Sequence, residues 1–208
     1  MAAALAALAL TAPTLTDTGD RFDELPEAVE SIGSAASSGS DQFLEGLGFV
    51  EVVDSVEPIP VSVHIPDLSV KSDVVPVGVD SDNNVEVPDD IQEIGWYAFA
   101  AGPMDPQGSI VLVGHRDGVE SGQGAFYGID QLEPGDSVVL RTSESSRIRF
   151  VVEDAQSVTK ERFAELASDV FSTTGTKRLI LITCGGEYVK ADGGYQENVL
   201  VTAIPAPA

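Results

Sequence analysis

Cys184 and His115 are the residues whose chemistry the sequence singles out. The chain has one cysteine and two histidines, so no disulfide can form within it and the thiol is either inert or reactive. Cys184 follows the apolar run 179–183 and precedes Gly185 and Gly186, which predicts an exposed position at the end of a strand. A nearby imidazole can take the proton of such a thiol and later protonate a leaving amine. The pair indicates nucleophilic acyl-transfer chemistry.

His115 is the better partner of the two histidines. It follows the apolar run 109–113, so a rigid strand would hold it in the same kind of position as Cys184, which lies 69 residues later in the sequence. His64 alternates with Val63 and Ile65, which is typical of an exposed histidine on a half-buried strand. One cysteine and two histidines supply too few nitrogen and sulfur ligands for a metal site, so we predict no metal and no cofactor.

The elements that must position this pair are mainly β-strands. Alternating or fully apolar runs predict eight short strands, at residues 61–65, 70–79 with a break at Pro76, 85–87, 109–113, 137–141, 147–156, 178–183 and 199–204. The sequence predicts one or two short helices, and the best helix candidate covers residues 160–167, with Phe163 and Leu166 on one side. Eight strands punctuated by turns predict a closed or nearly closed β-barrel, not an alternating βα fold.

Composition limits the partners and the domain organisation. The 208 residues carry a net charge of -23, which excludes nucleic acid and disfavours an anionic membrane surface. Residues 1–57 form a predicted apolar and acidic leader or linker, largely disordered, and residues 58–208 form the predicted barrel domain. The first ten residues are apolar and resemble a signal-peptide core or part of a membrane anchor, which favours export. The alternative is a disordered alanine-rich tail.

Several motifs, in their shared order, resemble the sortase family, and most of all the class F sortases of actinobacteria. They are Val113-Gly114-His115, the Thr183-Cys184-Gly185-Gly186 run and the closing segment 195–203, supported by the segments 60–66, 85–88, 95–97 and 132–136. The resemblance covers residues from about 58 to 203.

The resemblance implies an eight-stranded barrel and a function. Cys184 would be the nucleophile that cleaves an LPxTG-like sorting signal through a thioacyl intermediate, and His115 the general acid/base. The acceptor would be an amine on a cell-wall precursor or a pilin lysine. The enzyme would be an exported monomer at the cell surface. Thr183, Phe163 and Leu166 would bind substrate, although core packing explains Phe163 and Leu166 equally well.

The sequence departs from the family at its arginine, which steadies the substrate carbonyl and oxyanion. The two positions where the family carries it hold Gln196 and Asn198, whose neutral amides make weaker hydrogen bonds than a charged donor. Arg116 and Lys190 are alternative sources of positive charge, while Asp117 is typical of a solvated loop carboxylate. Two other functions stay open: a weakly active or inactive domain that binds sorting signals, and a hydrolytic cysteine peptidase.

Overall fold

A computed structural model describes residues 57–118 and 121–207 of the chain. The predicted leader or linker lies outside these residues, apart from Glu57. The described chain contains one α-helix, α1 (Lys160–Val170), and ten strands: β1 (Pro60–Ile65), β2 (Val70–Val77), β3 (Ile94–Tyr97), β4 (Ser109–Gly114), β5 (Asp117–Gly118), β6 (Gly122–Gln123), β7 (Ser137–Thr142), β8 (Arg147–Thr159), β9 (Arg178–Val189) and β10 (Gly194–Pro205). No helix within this part of the chain has the length and apolarity of a membrane span.

Eight of the strands close into a barrel, which confirms the predicted fold class. Their order is β1-β2-β3-β4-β9-β10-β8-β7, and β7 pairs with β1 to complete the ring. The β2–β3 and β4–β9 pairs are parallel, and the other neighbours are antiparallel. The remaining strands, β5 and β6, form a separate small hairpin directly after β4.

One barrel strand differs from the sequence prediction. Residues 85–87, predicted as a strand, contribute only an isolated bridge between Val79 and Val85. The barrel strand in this region is β3, which lies between β2 and β4. Periodicity missed it because β3 is four residues long and contains Gly95. That glycine is required, since an added Cβ would lie 2.9 Å from the Val77 methyl groups.

Pro76 does not interrupt its strand, contrary to the prediction. β2 continues through it to Val77 and pairs with β3 at Trp96. The other neighbour, β1, pairs only with residues 70–73 of β2. Pro76 therefore lies where one side of the strand has no partner, and its missing N–H leaves no ladder hydrogen bond unmade.

Two apolar layers explain why β4 and β9 are apolar at consecutive positions. Inside the barrel, one cluster includes Ile110, Leu112, Leu179 and Leu181. On the outer face, the alternate residues of the same strands join a second cluster under α1, with members that include Val111, Val113, Ile180, Ile182 and Phe163. A strand that is buried on both faces loses the polar half of its alternation.

Helix α1 covers the outer face and extends three residues beyond the predicted end. The Thr159 hydroxyl caps its first turn by accepting a hydrogen bond from the Arg162 backbone N–H at 3.2 Å, which satisfies one of the free donors of a helix start. Phe163 is buried at 2 % exposure and Leu166 is half-buried, both against the outer cluster. The predicted apolar side of the helix is therefore correct.

Candidate active site

Cys184 lies inside a long strand and not at its end, which corrects the sequence prediction. Strand β9 continues to Val189. Its neighbour β4 stops at Gly114, and the β4–β9 pairing ends at Val113 and Ile182. Cys184 thus lies at the point where β9 loses one neighbour and keeps β10 on the other side. The Cys184 side chain is half-buried at this point.

Cys184 and Asn198 are paired across β9 and β10, and His115 follows the end of the neighbouring strand β4. The ladder between β4 and β9 ends at Val113 and Ile182, and His115 follows the end of β4 by one residue while Cys184 lies within β9. On the other side Cys184 pairs directly with Asn198 of β10. Neighbouring strands are about 4.8 Å apart, and Cys184 and Asn198 continue the outer face that Ile182 and Leu200 occupy. The structure pairs the predicted nucleophile with the Asn198 amide, and the role of His115 as its base stays a prediction.

Thr183 ties β4 and β9 together at this point. Its hydroxyl donates a hydrogen bond to the Gly114 carbonyl at 2.7 Å, and the side chain is buried at 4 % exposure. Gly114 immediately precedes His115, and Thr183 immediately precedes Cys184. The bond therefore sets the relative position of the histidine and cysteine backbones, and Thr183 contributes from the opposite face of β9 to Cys184.

The His115 ring is held by a carbonyl that the sequence did not reveal. Its Nε2 lies 2.8 Å from the Pro88 oxygen, and because a carbonyl only accepts, Nε2 must be the donor. In the neutral ring Nδ1 is then the unprotonated nitrogen. The backbone is fixed as well, since the His115 carbonyl accepts from the Phe126 N–H at 2.9 Å. Gly124 permits this close packing, because an added Cβ would lie 2.4 Å from the same carbonyl oxygen.

Burial dominates the electrostatics of the thiol and raises the pKa of Cys184 above its ordinary value. Lys160 opposes this shift and lowers the pKa, Asp117 raises it further, and Arg116 lowers it. These charges reach the thiol from two sides, because Arg116 and Asp117 follow His115 while Lys160 begins α1. The balance between burial and the two cations sets how much thiolate is present.

The two glycines after Cys184 shape the strand around it. Between the pairs Gly185–Glu197 and Tyr188–Tyr195, β9 has two residues where β10 has one, so β9 forms a bulge at Gly186 and Glu187. Gly186 has a φ of 72°, a left-handed conformation that glycine adopts without strain. Gly185 packs against β10, where an added Cβ would lie 2.7 Å from Val199.

The two amide side chains differ in their availability. Gln196 faces the bulge, and its Nε2 donates to the Gly194 carbonyl at 2.7 Å. Asn198 is 2 % exposed and lies opposite Cys184. Of the two, Asn198 is the amide that pairs with Cys184.

Arg116 lies near the thiol, and Lys190 does not. The Arg116 guanidinium pairs with Asp130 at 3.6 Å and lies 5.8 Å from the centre of the Tyr195 ring. Lys190 is exposed in the turn Lys190–Asp192 that follows β9. It is six positions along the chain from Cys184, about 20 Å at the usual strand rise, so it is too distant to serve the site.

Tyr195 and Asp117 form a pair that sequence reasoning missed. The Tyr195 hydroxyl donates to Asp117 Oδ2 at 2.5 Å, so Asp117 is more than a solvated loop carboxylate. Burial first, and then this bond, raise the pKa of Tyr195 to about 12. The position of Asp117, two residues after His115, could have marked it as a residue of the site. The placement of Tyr195 depends on the register of β9 and β10, which the sequence does not show. Among the described residues, no three His, Cys, Asp or Glu side chains form a group that could hold a metal ion.

The fold and the sequence agree with one known family. The family described as "Sortase domain" matches residues 63–206. A search of curated proteins finds no match. Similar solved structures include sortase C-1 from Actinomyces oris (23 % identity, 74 % of this chain and 77 % of that chain covered, TM-score 0.53) and sortase A from Corynebacterium diphtheriae (16 %, 73 % and 62 %, 0.53). Sortase E1 from Streptomyces coelicolor, with a tripeptide in its active site, is also similar (23 %, 72 % and 89 %, 0.53).

The closed eight-stranded barrel with a single helix is the fold that these structures share with this chain. The family match covers more than two thirds of the sequence, and the chain belongs to the sortase family. Sortases are cysteine transpeptidases that attach proteins to the cell surface and act outside the cytoplasm on substrates that carry sorting signals. The similar structures belong to classes A, C and E.

Proposed function

We propose that this chain cleaves an LPxTG-like sorting signal at Cys184 and transfers the acyl part to an amine, as an exported, monomeric, class F-like enzyme of the cell surface. The observation that supports the proposal is the position of Cys184, which pairs with Asn198 of β10 and lies where β4 ends just before His115, with the Thr183 hydroxyl bonded to the Gly114 carbonyl. The amine would belong to a cell-wall precursor or a pilin lysine. The class F-like assignment rests on the Thr183-Cys184-Gly185-Gly186 run.

The proposed reaction has two acyl-transfer steps. The Cys184 sulfur attacks the threonine carbonyl carbon of the sorting signal, and the thiol proton passes to His115. The Thr–Gly amide bond breaks as His115 protonates the leaving glycine nitrogen, which leaves a thioester on Cys184. An acceptor amine then attacks the thioester and gives a proton to His115. The sulfur leaves and regains its proton, and a new amide bond has formed.

His115 Nδ1 is the nitrogen suited to these proton transfers. Nε2 is engaged with the Pro88 carbonyl, so the ring keeps one orientation through the reaction. Because the thiol pKa is raised by burial, most of the cysteine is protonated near neutral pH, and a base beside it has a proton to remove. This arrangement supports general acid/base catalysis by His115.

The outer face beside Cys184 is the proposed binding surface for the sorting signal. Thr183 is buried on the opposite face of β9, so it supports the nucleophile through its bond to Gly114 and is not a proposed substrate contact. The tripeptide in the active site of sortase E1 is a precedent for a short peptide in such a barrel. Leu166 is half-buried, and it is the proposed apolar contact. Phe163 is buried in the outer cluster, so its proposed contribution is to support that surface from below.

Mass spectrometry of the protein after incubation with an LPxTG-type peptide tests the proposal. Wild type should gain the mass of the acyl fragment, and Cys184→Ala should gain none. His115→Ala should lower the cleavage rate by about 10²–10⁴. The matched control is His64→Ala, which removes the exposed histidine of β1 and should leave the rate unchanged. Cleavage by Cys184→Ala would refute the assignment.

Products formed with and without an added amine separate the other functions. Amide product that depends on the amine supports transpeptidation, whereas free acid alone would identify a hydrolytic cysteine peptidase. Reversible binding of the peptide with no adduct and no cleavage would identify a domain that only binds sorting signals.

A further inference from the structure

The acyl-transfer step needs positive charge or strong donors near Cys184, and β10 supplies little. Negative charge develops on the threonine carbonyl oxygen as the sulfur attacks, and preorganised donors stabilise it. The two β10 positions that the family arginine could occupy hold neutral amides. Gln196 already donates to the Gly194 carbonyl, and Asn198 is almost fully buried. A cation must therefore come from another element.

The end of strand β8 brings Lys160 to the part of β10 that contains Gln196. The β8–β10 register pairs Val158 with Asn198 and Thr159 with Glu197, and Lys160 directly follows Thr159 while Gln196 directly precedes Glu197. Val158 belongs to the outer cluster, and Lys160 comes directly after Thr159, which ends β8 and caps α1. Lys160 is half-buried and is the first residue of α1.

Lys160 acts on the thiol more strongly than any other described cation. It lowers the pKa of Cys184, and its effect exceeds that of Arg116. The guanidinium of Arg116 is already occupied by Asp130 and by the Tyr195 ring. Lys160 makes no ion pair within 4.0 Å with the carboxylates that the structure describes, and its ammonium is carried on a flexible four-carbon stem.

We propose that the Lys160 ammonium is the cation of the active site and stabilises the substrate carbonyl and oxyanion during acylation of Cys184. It takes the place of the arginine that β10 lacks and reaches the same end of the sheet from the neighbouring strand. This inference rests on the proposed function. It assigns the positive charge to a residue at the junction of β8 and α1, where the sequence showed no catalytic signal.

The test compares Lys160→Met and Lys160→Arg with wild type by single-turnover formation of the thioester from an LPxTG-type peptide. Lys160→Met should slow acylation by about 10²-fold, the usual loss for one oxyanion donor, while Lys160→Arg should stay within about tenfold of wild type. Lys190→Met is the matched control, because it removes an exposed lysine from the turn after β9. It should leave the rate unchanged. Circular dichroism verifies that each variant is folded.

Two further measurements separate catalysis from packing. Alkylation of Cys184 by iodoacetamide at pH 8 should slow in Lys160→Met and not in Lys190→Met, because removing the cation lowers the thiolate fraction. Adding Gln196→Arg to Lys160→Met should raise the acylation rate at least about tenfold above that of Lys160→Met alone, because one strong donor has been restored. The same change in wild type should have a smaller effect, because the charge is already present.

The outcomes distinguish this inference from the proposed function. If wild type forms the thioester and Lys160→Met forms it at the same rate, the role of Lys160 is wrong and the function stands. If Lys160→Met and Lys190→Met lose equal activity, the role of Lys160 is again refuted. If wild type forms no thioester, the proposed function fails and this role fails with it.

Discussion

At the scale of single residues, the reactivity of Cys184 follows from a competition between burial and nearby charge. Burial raises the pKa of the thiol, and Lys160 and Arg116 lower it. A thiolate is the stronger nucleophile, but a protonated thiol is the form that the partly buried site favours. In the proposed reaction, the thiol therefore depends on His115 to remove its proton when the substrate is in place.

The raised pKa of Cys184 makes the stability of the fold depend on pH. A group whose pKa is higher in the folded state stabilises the protein fully below its unfolded pKa. That contribution is lost as pH rises through the folded value. We expect the free energy of unfolding to fall more steeply in wild type than in Cys184→Ala as pH rises above about 8.5. Urea denaturation at several pH values between 7 and 10 measures this difference.

Tyr195 provides the internal control for that experiment. Its pKa is raised to about 12, so its contribution to stability is lost at higher pH than that of the thiol, and both proteins retain it. If wild type and Cys184→Ala lose stability in parallel between pH 7 and 10, burial does not raise the thiol pKa as described.

At the scale of elements, the β9–β10 pair is built around its bulge. Gly186 allows β9 to carry one residue more than β10 between two regular stretches of ladder. The pairing of Cys184 with Asn198 lies on one side of the bulge, and the turn that contains Lys190 lies on the other. Disturbing the bulge should therefore move the nucleophile relative to β10.

Gly186→Ala should destabilise the protein more than Gly193→Ala. Both glycines have positive φ, 72° and 85°, so both substitutions introduce a strain of about 1–2 kcal/mol. Only at Gly186 does the added Cβ meet a neighbour, since Glu197 Cβ would lie 2.9 Å away while nothing lies within 4 Å of the Cβ at Gly193. Urea denaturation gives both values, and equal losses would show that the contact with Glu197 is relieved without strain.

Hydrophobic patterning predicted the strands in which the burial of each side chain matches its polarity. Val63 and Ile65 alternate with exposed His64, and the apolar runs of β4 and β9 lie between two apolar layers, so each pattern reflects a physical cause. The pattern missed β3 because its Gly95 is required by the close approach of Val77. That neighbour is present only once the barrel has closed. A hydrophobic pattern indicates which residues of a strand are buried, but it does not indicate which strand is its neighbour in the sheet.

The candidate site could be predicted only in part for the same reason. Cys184 and His115 stand out by residue type and by the apolar runs before them. The partners of these residues depend on register: Asn198 faces Cys184 because of the pairing between β9 and β10. The Pro88 carbonyl that holds His115 lies 27 positions away in an irregular segment, and no local signal marks a backbone oxygen as a partner.

At the scale of the whole molecule, the barrel and both apolar layers lie within residues 57–207. β1 is essential to closure, because it pairs with β2 on one side and β7 on the other. The Ile59 carbonyl, just before β1, accepts from the Ser143 N–H at 2.9 Å. These contacts favour the proposed boundary between a leader at 1–57 and a barrel domain at 58–208.

A fragment that contains residues 58–208 should fold as one cooperative unit and keep the acylation activity of the full chain. Thermal unfolding and single-turnover thioester formation measure the two properties. A fragment that begins at Asp67 is the control, because it lacks β1 and leaves β2 and β7 without their shared neighbour. It should not fold. An unfolded 58–208 fragment beside a folded full chain would place the domain boundary earlier.

The parallel β4–β9 pair has a consequence for when the thiol becomes active. It joins segments 69 residues apart, and contacts of such long range form slowly because their loop entropy must be overcome first. Until that pair closes, Cys184 lacks both its proposed partner His115 and the burial that raises the pKa of its thiol, so it behaves as an ordinary solvent-exposed thiol. Activity is thus delayed until the chain has folded, so a newly made chain carries its nucleophile without the means to use it.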